Sequence, residues 1–99
     1  MIEGFIEDSL LLELELGDGD TGKFPRVRIY DAAAALQTTI DLVHVAFGLY
    51  QGAWASPPAL GHFSAVFIVY NDAGHTVVSN RYEQVSERVR IVAPAGGIA

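Results

Sequence analysis

Apolar side chains alternate with polar ones from Ser9 to Leu16: Leu10, Leu12, Leu14 and Leu16 fall on one side, Leu11, Glu13 and Glu15 on the other. A two-residue period of this kind predicts a half-buried strand. The same period returns in Phe24–Tyr30, with Val27 and Ile29 opposite Arg26, Arg28 and Tyr30, and in Leu36–Leu42. It returns again in Leu49–Ala55, where Tyr50 and Trp54 share a side with Gly52 between them, a glycine expected to leave room for a large ring. The run Gly61–Tyr70, GHFSAVFIVY, is apolar on both sides and predicts a central strand. A short strand over His75–Val78 and a longer one over Tyr82–Val92 complete the set.

Between these runs stand turn formers: Gly17–Gly22 with its three glycines and two aspartates, Asp31–Ala35, Ser56–Gly61 with two prolines, and Asn71–Gly74. Val43–Gly48 breaks the alternation and reads as a loop or bulge. About seven strands with turns every 8 to 12 residues or so, and no long helical period, predict an all-β sandwich. Residues 1–8 read as an N-terminal arm, 9–92 as the sandwich and 93–99 as a flexible C-terminal tail rich in glycine and alanine. In the arm, Ile2, Phe5 and Ile6 have the spacing of one helical turn and are candidates to dock on a neighbouring subunit.

The chain has 99 residues, about half of them apolar, which suits one domain. Its net charge of −6 argues against a nucleic-acid partner, which needs an attractive field for phosphate. With no cysteine, disulfides, thiolate metal sites and a cysteine nucleophile are excluded. The opening MIEGFIEDSL does not read as a secretory signal, and no apolar run approaches bilayer length, so no membrane partner is expected.

Candidate chemistry is sparse. Asp18-Gly19-Asp20-Thr21-Gly22 has the alternating carboxylates of a calcium loop, but the following KFPRVRI supplies no closing glutamate, so a solvated turn is expected. His44, His62 and His75 are scattered without metal-ligand spacing and are read as loop residues bonded to backbone. No G-x-S-x-G elbow is present. The expectation is a non-enzymatic protein with no cofactor and no metal. Arg26/Arg28 and Arg88/Arg90 are pairs spaced by two, each projecting from one side of its strand, and Glu13/Glu15 form the matching acidic pair. Such rows serve either cross-strand ion pairing on a solvated face or contact with complementary rows of a partner chain. Ile2, Phe5, Ile6, Arg26, Arg28, Arg88 and Arg90 are therefore the candidate partner contacts. Tyr50 and Trp54 could form a sugar platform if exposed, although core packing is the expectation for rings of that size.

Phe24–Ile91 resembles a small immunoglobulin-like domain through GLYQGAW (Gly48–Trp54), GHFSAVFIVYNDAGH (Gly61–His75) and RYEQVSERVRI (Arg81–Ile91). Phe63 stands where such domains carry a corner tyrosine, and Ala65 where antibody domains carry a cysteine. The same segments are similar to stand-alone modules in structural proteins of tailed bacteriophages. That resemblance implies a many-copy virion component, made in the host cytoplasm. Foremost is a capsid decoration (cement) protein on the outer shell, with the major capsid protein as partner and self-association into a homo-oligomer. A neck, tail or baseplate component is the second structural alternative, and a receptor- or carbohydrate-binding module the alternative of another class.

Overall fold

The computed structural model describes residues 1–93. The part of the expected C-terminal tail from residue 94 onward lies outside the described residues. Eight strands form: β1 (Ile2–Phe5), β2 (Leu10–Glu15), β3 (Phe24–Tyr30), β4 (Leu36–Asp41), β5 (Val43–Ala46), β6 (Leu49–Trp54), β7 (Gly61–Tyr70) and β8 (Val85–Val92). They make a five-stranded sheet ordered β1-β8-β7-β3-β4 and a three-stranded sheet ordered β2-β6-β5, with no helix among the described residues.

The inward sides of the two sheets meet as the alternation requires. Leu12 and Leu16 from β2 and its end, Val27 and Ile29 from β3, Tyr50 and Trp54 from β6, Phe63, Ala65, Phe67 and Val69 from β7, and Val89 and Ile91 from β8 are all buried in one cluster. Trp54 meets Phe63 edge-to-face at 5.2 Å between ring centres, joining the two layers. Tyr50 and Trp54 are thus core residues, only 1% and 5% exposed.

Four local expectations are corrected. First, the N-terminal segment is not a free arm or a helical turn. Ile2–Phe5 pairs parallel with Val89–Val92, Ile2 and Gly4 facing inward and Glu3 and Phe5 outward. Gly4 makes this possible, because a Cβ there would stand 3.1 Å from Leu10 and 3.3 Å from Ile91. Second, Val43–Ala46 is a strand. Leu42, whose amide donates to the Pro25 carbonyl at 3.0 Å, is the buried point at which the chain leaves one sheet for the other. The expected bulge survives as a register shift between His44 and Ala46.

Third, the strand expected over His75–Val78 shrinks to a single bridge between Tyr70 and Val78. The Asp72 carboxylate accepts bonds from the Thr76 hydroxyl (2.6 Å) and from the Thr76 and Val77 amides (3.0 and 2.9 Å), which closes a loop in place of a ladder. The strand expected from Tyr82 likewise begins only at Val85, because the Tyr82 hydroxyl is drawn to the Gly17–Gly22 loop. Fourth, Gly52 does not make room for a ring. A Cβ there would lie 2.8 Å from Leu42 and 2.9 Å from Ile40, so its absence lets β4 and the crossing point close against β6.

Candidate protein-docking face

The register across the five-stranded sheet decides which polar residues share its outer side. Arg26 and Arg28 of β3 stand opposite Ile68 and Val66 of β7, and Tyr30 stands opposite Ser64. On the other flank of β7, Ser64 faces Arg88 and His62 faces Arg90. β1 then adds Glu3 beside Arg90 and Phe5 beside Val92. All four arginines singled out by their spacing therefore project from one face, and Phe5, 44% exposed, joins them. Ile2 and Ile6 do not: both pack half-buried against the core.

The arginines differ in what holds them. Arg26 donates through Nε to Asp41 Oδ1 at 2.7 Å, on the neighbouring strand β4. That bond, more than the accompanying attraction of opposite charges, holds the Asp41 carboxyl below its usual range and raises the Arg26 guanidinium. His75 is not bonded to backbone through its ring; Nδ1 lies 3.1 Å from Arg26 Nη2, and the ring stands edge-to-face on Tyr70. His62 sits in strand β7 rather than a loop, and His44 is in β5, edge-to-face with Tyr50. Arg90 approaches Glu3 at 3.6 Å. Arg28 and Arg88 have no carboxylate partner among the described residues.

Arg88, Ser64, His62 and Tyr30 also line an open cleft of about 540 Å3, closed at one end by the turn after β3. Asp31 builds that turn: its Oδ1 accepts the Ala33 and Ala35 amides, both at 2.9 Å, and Ala34 takes a positive φ of 64°. Ile68 and Tyr70 are buried on this side of the sheet, Arg26 lying over the Tyr70 ring. Arginines beside aromatic rings such as Tyr30 and Phe5 are a combination enriched at protein-binding surfaces.

At the other end of the molecule, the aspartates of the Gly17–Gly22 loop are engaged internally. The Tyr82 hydroxyl lies 2.7 Å from Asp18 Oδ2 and 3.1 Å from Asp20 Oδ2, and Arg81 donates to Asp18 at 2.6 Å. The hydrogen bond from Tyr82 is the first cause of the lowered Asp18 pKa. Desolvation, followed by the bonds to both carboxylates, raises that of Tyr82.

The spacing of the arginines by two was visible in the sequence. Their common side was not, because it depends on β3 and β8 flanking the same strand in matching register. No protein-family model matches the chain, and no curated protein and no solved structure does either.

Proposed function

We propose that this chain is a non-enzymatic structural protein that holds other polypeptides through the outer face of its five-stranded sheet. One observation carries the reading: four of the six basic residues of a chain with net charge −6 stand on that face, and two lack a carboxylate partner among the described residues. Asp41 and Glu3 each partner one arginine on this face, so the charge left uncompensated is that of Arg28 and Arg88. That residual positive charge in an otherwise acidic molecule fits the carboxylates of another protein better than phosphate, from which the molecule as a whole is repelled.

Within that class, the chain is a tailed-phage virion component, foremost a decoration (cement) protein on the outside of the capsid with the major capsid protein as partner. The resemblance of Gly48–Trp54, Gly61–His75 and Arg81–Ile91 to modules of such virions supports it. By binding only the assembled shell, it stabilises assembly through mass action. A neck, tail or baseplate position would use the same face. The strand order supports an immunoglobulin-like sandwich: naming β2 to β8 as B, C, C′, D, E, F and G places C, F and G with C′ in one sheet and B, E and D in the other. A carbohydrate platform on Tyr50 and Trp54 is disfavoured because both rings lie in the core.

The test is co-sedimentation with intact shells and with shells stripped of tails. Binding to both, lost in the R28E/R88E variant, is expected. Binding only where tails are present moves the chain to the tail, and binding unaffected by the double variant rejects the arginine face.

A further inference from the structure

The two outer faces of the molecule carry charge of opposite sign. On the three-stranded sheet, Glu13 and Glu15 project outward from β2, beside Gln51 and Leu49 of β6. β2, β5 and β6 contain no lysine and no arginine. Across the sandwich, Arg28 and Arg88 stand on β3 and β8, one on each side of β7 and roughly 10 Å apart across the strands. Arg26 is held by Asp41 and Arg90 lies near Glu3, which leaves Arg28 and Arg88 uncommitted among the described residues. Glu13 accepts only the Gln51 amide at 2.5 Å, and Glu15, like Arg28 and Arg88, has no ion-pair partner among the described residues. Apolar groups accompany both sets: Leu11, 53% exposed, lies on the acidic face and the half-buried Val66 on the basic one.

We propose that the partner of the arginine face is a second copy of this chain, which presents the outer face of its three-stranded sheet, Glu13 and Glu15 lying against Arg28 and Arg88. The inference rests on the reading above that the arginine face is a docking surface, and it names the occupant. Each copy has one face of each kind, so the contact is heterologous, and repeating it produces a ring or an open run of subunits rather than a closed two-fold pair. The ion pairs set register and speed encounter, while the apolar groups between them supply the contact area.

Sedimentation velocity of the full chain tests this without any shell present. Wild type is expected to form larger species at about 20 mM salt and to return to monomer at about 0.5 M, where screening lengths fall to a few ångströms. R28E/R88E and E13R/E15R are each expected to lose the larger species at low salt. Mixing the two is expected to restore it, since each reversed set of charges then meets a set of opposite sign on the other variant. The single changes R88E and E15R repeat the test should a double variant fail to fold. A wild-type chain that stays monomeric at every salt concentration overturns the proposal. So does assembly unchanged by either variant, or a mixture that does not reassemble. Self-association without shell binding would remove the decoration reading and keep this one; shell binding by a strict monomer would do the reverse.

Discussion

The Tyr50 hydroxyl donates to the Asp20 carbonyl oxygen at 2.9 Å and accepts the Lys23 amide at 3.1 Å. A ring that is 1% exposed thus reaches from the core to tether the Gly17–Gly22 loop to the start of β3. Tyr50→Phe keeps the packing and removes both bonds. It is expected to cost about 1–2 kcal/mol in denaturant unfolding, with the slope of the transition unchanged. A change indistinguishable from zero would show that water replaces the hydroxyl at both backbone groups.

Acid stability follows from three carboxylates. Asp41, Asp18 and Asp72 are all held below the usual aspartate value of about 3.8, chiefly by bonds from Arg26, Tyr82 and Thr76 respectively. A carboxylate that binds its proton less readily when folded stabilises the fold above its unfolded pKa and loses that contribution as pH falls through the folded one. Stability is therefore expected to be level through neutral pH and to decline below about pH 4, with the three contributing together. Asp41→Asn removes one share of the decline. Because Asp41 is more than half exposed, the loss at pH 7 is expected to be only about 0.5 kcal/mol. An acid limb as steep in the variant as in wild type would contradict the Arg26–Asp41 assignment.

Gly48 closes the β5–β6 hairpin at φ 72°, and a Cβ there would lie 2.7 Å from the Leu16 carbonyl oxygen and 2.9 Å from the Gly19 Cα. Gly48→Ala meets left-handed strain and immovable backbone together, so a loss of about 2 kcal/mol or more is expected from thermal unfolding. Gly17→Ala is the control: a Cβ there meets nothing within 4 Å, and a change within about 0.5 kcal/mol is expected.

How much of this was legible in the sequence depended on how far each element is defined by its own residues. β2 could be read because Leu10, Leu12, Leu14 and Leu16 define a buried side unaided, and β7 because its ten residues are apolar on both sides. β1 could not. Four residues, Ile-Glu-Gly-Phe, satisfy a helical turn and an alternating strand equally, and only the parallel pairing with β8 decides. β5 was hidden because the chain changes sheet at Leu42, so its alternation restarts out of phase. The loop after β7 was misread because β-branched Thr76, Val77 and Val78 favour a strand locally, while one carboxylate, Asp72, captures the amides a ladder would use. The docking face lies between these cases: the arginine pairs were visible, but their union on one face is a property of register.

Trp54 reports on the core directly. Its ring, packed on Phe63, is expected to give a blue-shifted fluorescence maximum that added glycans leave unmoved. Trp54→Ala is expected to cost about 3–5 kcal/mol. An emission maximum typical of tryptophan in water, or one that moves with a sugar, would return the ring to the surface and reopen a glycan-binding role.

The most direct test of the docking face is hydroxyl-radical footprinting of the chain on purified particles against the free chain. Reduced labelling at Phe5, Tyr30 and His62, with Trp54 unreactive in both states, is the predicted result. Equal labelling of those three residues in both states, with protection elsewhere on the molecule, would contradict the claim that this sheet face holds other polypeptides.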